Sequence, residues 1–124
     1  MNPHIKTFVA AGAIGHRRLV KFTANDGEVA LATTATDKIA GVVDFPSGAK
    51  AGERIDVVLF GPAEVVAGGA IAPGADFAAG AAGVAVAAAP ASGTSAVTAG
   101  FVMSAAASGD FVRAFIQRGN LTAA

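Results

Sequence analysis

The residues able to act as acids, bases or metal ligands are few and far apart. There are two histidines, His4 and His16, and no cysteine. A catalytic or zinc-bound histidine needs partners held on a rigid frame. Neither has a candidate partner near it, so both are read as solvent or interface residues. The carboxylates Asp44, Glu53, Asp56, Glu64, Asp76 and Asp110 are scattered beside turns or along strands. Two of them at glycosidase separation would be one route to acid–base chemistry, but as turn caps and surface charges they fit their Gly and Pro neighbours better. The Gly-rich run from Gly68 to Asp76 lacks a Gly-Lys-Ser/Thr ending, and no Lys follows Lys50. In a Walker loop that Lys contacts phosphate and the hydroxyl holds magnesium, so this run is read as turns. No catalytic residue, metal or cofactor is expected, and the chain is expected not to be an enzyme.

The most specific basic feature is Gly12-Ala13-Ile14-Gly15-His16-Arg17-Arg18. A Gly-x-x-Gly loop beside basic residues can clamp a nucleic-acid backbone. Here no stacking aromatic lies beside it, and Lys+Arg and Asp+Glu number 9 each, so the bulk pull toward nucleic acid or anionic membrane is missing. Solvated charge and contact with an acidic protein surface, which suits arginine, stay open. Asn120-Leu121-Thr122 matches a glycosylation acceptor and is read as chance, since no secretory signal is seen at the start.

The elements that would carry these residues are short. At 124 residues the chain fits one domain that can bury a core without staples. Charged residues are only 15%, against about 25% in an average domain. Hydrophobic residues reach 53%, much of it Ala, with eight Phe and no Trp or Tyr. The core is therefore expected to be Val, Ile and Phe with Ala as filler. The longest weakly polar window, 77–91, is broken by Pro90 and is shorter than the roughly 20 residues of a spanning helix, so no membrane contact is expected.

Residues 1–18 read as an N-terminal arm in which Thr7-Phe8-Val9 can extend as a strand. Strands follow at 19–23, 28–32, 38–45 and 54–60, punctuated by Asn25-Asp26-Gly27, Pro46-Ser47-Gly48 and Gly52. Gly41 inside the third marks a bulge or a close backbone approach. In 54–60 both alternating faces are partly apolar, so both are expected to be covered. Gly61-Pro62 is read as a bend, 63–67 as a further strand, and 76–79 with 84–88 as a hairpin. Strands at 96–104 and 110–117 close the domain, and 119–124 is read as a tail. Short strands with a turn every 8 to 12 residues or so predict a mainly β single domain, a barrel or sandwich, spanning 19–118.

One ordered set of motifs goes further. Asp37-Lys38-Ile39-Ala40-Gly41-Val42 precedes Gly52-Glu53-Arg54-Ile55-Asp56-Val57-Val58, then Gly61-Pro62-Ala63-Glu64-Val65-Val66-Ala67-Gly68-Gly69-Ala70-Ile71 and Pro73-Gly74-Ala75-Asp76-Phe77. Ala99-Gly100-Phe101-Val102-Met103-Ser104-Ala105 and Gly109-Asp110-Phe111-Val112-Arg113-Ala114-Phe115-Ile116 end the series. Over residues 19–118 this order resembles the capsid decoration (cement) proteins of tailed bacteriophages. The resemblance implies a small β-barrel or β-tulip-like fold and a structural virion protein on the outer surface of the expanded head, made in the host cytoplasm. It implies binding to the major capsid protein between capsomers, stabilising the shell against internal DNA pressure. It also implies a homo-oligomer, with a trimer favoured, and no catalysis, cofactor, direct nucleic-acid or membrane contact.

The candidate capsid-binding or oligomer-interface residues are Phe8 and Ile14 as anchors of the arm, His16, Arg17 and Arg18 as its charged rim, and Phe111, Arg113 and Phe115 on the last strand. Phe8 fits its own barrel equally well, and Phe111 and Phe115 can equally face a second sheet. The alternative function is a stand-alone β-barrel binding module or accessory subunit recognising another protein or carbohydrate. The lack of Trp and Tyr counts against a sugar platform.

Overall fold

The computed structural model describes residues 4–90 and 92–122. Among them are nine strands: β1 His4–Ala10, β2 Leu19–Phe22, β3 Glu28–Leu31, β4 Ile39–Val43, β5 Arg54–Val66, β6 Asp76–Ala79, β7 Ala85–Ala87, β8 Ser95–Val102 and β9 Phe111–Thr122. The only helical piece described is a 3-10 turn, Ala81–Gly83, inside the β6–β7 hairpin. The domain is mainly β, as the turn spacing predicts.

The strand order is β1-β3-β2-β4-β5-β9-β8-β6-β7, and a further pairing of β1 with β5 closes the first five into a barrel. β1 runs parallel to β3, and every other named pair is antiparallel. β5 belongs to both halves. Its first half pairs with β1, and Val57 and Val58 pair with β4. Its second half pairs with β9, from Gly61↔Ile116 to Val66↔Phe111. Gly61-Pro62 is thus not a break between two strands. It is the point where one 13-residue strand changes partners.

The arm expected over residues 1–18 is corrected where it is described. Residues 4–10 are β1, a wall of the barrel, with Phe8 opposite Ile55 and Val9 opposite Arg54. An unpaired strand edge carries a row of unsatisfied backbone groups, and β1 fills the gap between β3 and β5 that would leave two such edges. The tail expected over 119–124 is corrected likewise. Residues 119–122 continue β9, pairing with β8 from Thr98↔Gly119 to Ser95↔Thr122. The first three residues of the arm and the last two of the tail lie outside the described residues.

Two apolar clusters follow from alternation in the shared walls. Phe8, Val20, Val29, Ala40, Val43, Ile55 and Val57 fill the barrel. Leu19, Ile39, Val42 and Val58 point the other way, meeting Val65, Phe77, Val102, Val112, Ala114 and Ile116 of the second sheet. Adjacent residues such as Leu19/Val20 and Val57/Val58 therefore serve different cores, and all five residues of β4 are buried. Strands covered on both faces read as continuous apolar runs, as β4 does. In 54–60 the expected second covering is corrected, because Ile55 and Val57 are buried and Leu59 half-buried on one face, while on the other only Val58 is buried and Arg54, Asp56 and Phe60 are exposed.

Two glycines are fixed by close packing. A Cβ on Gly41 would run into the Val58 carbonyl, and the β2–β4 register shifts beside it, the bulge the sequence predicts there. A Cβ on Gly100 (φ +152°) would run into the Phe115 carbonyl, where the β8–β9 register also shifts. Short side-chain bonds close the exposed turns. In the Asn25-Asp26-Gly27 turn, Thr23 Oγ1 and Asn25 Nδ2 donate to Glu28 Oε1 at 2.8 and 3.1 Å and hold its carboxyl below the usual range.

Candidate interaction surface

β9 alternates strictly at its start: Val112, Ala114 and Ile116 are buried, while Phe111, Arg113, Phe115 and Gln117 point away from the core. Register then builds a surface around them. Directly opposite residues on antiparallel strands share a face. Phe115 lies opposite Pro62 on β5 and Phe101 on β8, and Phe101 lies opposite Asp76 on β6. Arg113 lies opposite Glu64, and its backbone carbonyl accepts from the Met103 N–H at 2.9 Å.

The rings touch. Phe115 stacks on Phe101 with centroids 5.6 Å apart and meets Phe60 edge-on at 5.1 Å. Phe60, Phe101, Met103 and Phe111 are all exposed although large and apolar. Single exposed apolar residues are ordinary, whereas contiguous ones mark sites where something else binds.

At one margin of this face Arg17 lies over the Phe111 ring, 4.7 Å from its centroid, and bonds Glu64 Oε1 at 3.0 Å. Arg17 has φ +62°, an uncommon conformation for a side-chain-bearing residue. Its backbone explains it: its N–H donates to the Val43 carbonyl and its carbonyl accepts from the Val66 N–H, tying the barrel to the second sheet. A groove of about 300 Å³ opens beside it, lined by apolar residues including Ile5, Val42, Val58 and Pro62 and by the charged side chains Arg17, Asp44, Glu64 and Arg113.

The sequence-predicted residues thus fall into two groups. Phe8 and Ile14 are buried in the barrel core and offer no free surface as anchors. Phe8 also meets Phe22 edge-on at 6.1 Å. His16 Nδ1 accepts the Phe45 N–H at 3.0 Å, and Arg18 donates to the Ala82 carbonyl at 3.2 Å, so both brace the fold. Arg17, Phe111, Arg113 and Phe115 come together on one face. Phe60, Phe101, Met103 and Asp76 share it and were not picked out from sequence. Their signal was cross-strand register, which one strand's alternation does not contain.

Among the described residues no three of His, Cys, Asp and Glu converge as metal ligands, and no helix is long and apolar enough to cross a membrane. The apolar rings, a cation on an aromatic face and paired charges suit protein contact.

No family model matches the chain, and no curated protein matches it. Among solved structures, the head fiber gp8.5 N base of bacteriophage phi29 is similar, at a TM-score of 0.70 and 22% sequence identity. The similarity covers 97% of this chain and 98% of that one, so the barrel and the appended sheet are shared together, as one fold.

Proposed function

We propose that this chain is a structural protein of a bacteriophage virion, seated on the outer surface of the head. There it binds the major capsid protein between capsomers and stabilises the shell against the pressure of packaged DNA. The observation that supports the virion part of this reading is the end-to-end likeness to the phi29 head fiber N base, while the seat between capsomers and the stabilising role rest on the motif resemblance alone. The ordered motifs over 19–118, which resemble capsid decoration proteins, support it independently.

The architecture suits a mechanical role. β5 runs unbroken from the barrel into the second sheet, and the Arg17 backbone links the same two halves. A load on one half passes to the other through strand ladders. Binding of many copies to a repeating shell needs only modest affinity at each site. No catalysis enters this role, and the contacts it requires are protein to protein.

The test is electron microscopy of heads lacking this protein, with and without purified protein added. Ordered density at capsomer junctions is the expected result. Bare heads at saturating protein would overturn the head-binding reading.

A further inference from the structure

The second sheet runs out into a two-stranded ribbon with one bare edge. β9 pairs with β5 only over residues 111–116. The β8–β9 register shifts between Thr98 and Gly100, and β9 leaves β5 at that point, as a bulge bends its strand. Residues 117–122 then have only β8 beside them, paired from Thr98↔Gly119 to Ser95↔Thr122. On the far side of β8 the Val97 N–H donates to the Ala35 carbonyl at 2.8 Å, so that flank is held. On the far side of β9, among the described residues, no backbone group of 117–122 meets a partner. The ribbon is nonetheless set as a strand to its last described residue, where the Ser95 and Thr122 hydroxyls share a hydrogen bond at 2.8 Å. The opposite end of the sheet is closed differently. β7 has only 3 residues, and its Ala85 carbonyl already accepts the Gly68 N–H at 2.7 Å. Residues 117–122 are exposed or half-buried and include no Pro, which would block a ladder. An unpaired edge of this kind is a template for one more strand.

We propose that this edge takes an extended segment of the shell protein, one carrying a carboxylate, which adds beside β9 as a further strand. Two observations choose the occupant. A row of bare N–H and C=O groups along a strand is matched by extended backbone. The only charged side chain on 117–122 is Arg118, which is exposed, and among the described residues no carboxylate is in ion-pair range of it. β9 as a whole holds Arg113 and Arg118 and no acid. A second copy of the same edge would therefore bring like charge and no carboxylate, and like charges across a strand pair are unfavourable. A segment with Asp or Glu complements the edge, since arginine suits interface ion pairs. The inference rests on the head-binding reading and deepens it. It names the part of this chain that is engaged and the bonds that engage it, main-chain hydrogen bonds along the ribbon.

The test is hydrogen exchange at residue resolution, read by mass spectrometry on the free protein and on decorated heads. Successive N–H groups of an antiparallel strand point to alternate sides. In the free protein the outward amides of 119–122 are expected to exchange freely and the inward ones, bonded to β8, slowly. On heads the outward amides are expected to slow at least about tenfold. Gly119→Pro and Asn120→Pro give a second reading, since one removes an outward N–H and the other a ladder donor. The variant that keeps the wild-type melt is expected to weaken decoration at least about tenfold. Where both lower the melt, the amide exchange alone decides. Arg118→Glu is expected to weaken decoration about three- to tenfold at low salt, with the melt unchanged. Decorated heads whose outward amides exchange as in the free protein would overturn the proposal and leave head binding standing. Full decoration by the fold-sparing proline variant would do the same. Bare heads would overturn head binding itself, and this inference with it. Outward amides that slow in the free protein as its concentration rises would give the edge to a second copy and refute the shell segment. Decoration indifferent to Arg118→Glu would refute the carboxylate.

Discussion

With no Trp or Tyr in the chain, phenylalanine supplies every large aromatic side chain, and the structure divides these rings by duty. Phe77 is 0% exposed, in the cluster between barrel and second sheet, while Phe111 is 58% exposed beneath Arg17. Phe77→Ala removes a fully buried ring and leaves a cavity walled by β-sheet that relaxes little, at a cost of about 3–5 kcal/mol. For 124 residues the entropy of unfolding is about 0.26 kcal/mol per kelvin, so the melting temperature is expected to fall by roughly 12–19 °C. Phe111→Ala loses little buried area and one exposed cation–π contact, worth about 0.5–1 kcal/mol, so the shift is expected to be no more than about 4 °C. Calorimetry on both variants and the wild type, at one dilute protein concentration so that any self-association is matched, reads the difference. Equal shifts, or a Phe77→Ala melt within about 3 °C of wild type, would refute the division into core and surface rings on which the interaction surface rests.

Three further substitutions probe the frame. Gly100→Ala sets a methyl group against the Phe115 carbonyl and is expected to cost at least about 2 kcal/mol in urea unfolding, whereas Gly12→Ala, whose Cβ meets nothing within 4 Å, is expected within about 0.5 kcal/mol of wild type. His16→Ala removes the acceptor of the Phe45 N–H and is expected to cost about 1–2 kcal/mol and to speed exchange of that amide; unchanged exchange would show that the bond does not form. Asp37 is partly buried, which raises its pKa. The N–H groups of Thr33 and Thr34, the Thr34 hydroxyl and Lys21 outweigh that and hold the carboxyl below its usual value. A lowered carboxylate pKa adds stability above the unfolded-state value of about 4, and that stability fades as pH falls through the folded value. Wild type is therefore expected to exceed Asp37→Asn in stability at neutral pH, with the gap narrowing below about pH 4, and a gap constant with pH would refute the assignment.

Legibility of the fold from sequence tracked how far each signal had to travel. The alternation of Ile55, Val57 and Leu59 announces a strand within a few residues, whereas the opposite face, expected to be covered too, is buried only at Val58. The β6–β7 and β8–β9 hairpins are local, marked by Gly80 and Gly83 in the first turn and by Ser108-Gly109-Asp110 in the second. Partner exchange at Gly61 is not local. Gly-Pro looks like a stop because Pro lacks a ladder donor, yet the strand runs on because β9, some fifty residues later, meets it there. The interaction surface followed the same rule. Phe111, Arg113 and Phe115 sit two apart on one strand and were visible together, while Phe60 and Phe101 joined them only through register.

β1 is the costliest case of that distance, and it changes what an experiment means. Pro3, Gly12 and Gly15 around a basic cluster look like a tether, and a tether's removal should spare the domain and abolish only its binding. β1 instead closes the barrel against β3 and β5, Phe8 and Ile14 fill its interior, and Arg17 bonds β4 and β5 through its backbone. Removing residues 1–18 would open two strand edges and expose the barrel core, so the truncated chain is expected to lose its cooperative melt altogether. Loss of head decoration in that truncation would then report unfolding. Surface changes that leave β1 in place, such as Phe101→Glu, are the ones whose effect on association can be assigned to the face itself. A truncated chain that melts as sharply as the intact one would mean that the barrel closes without β1, and would return the first eighteen residues to the role of a tether.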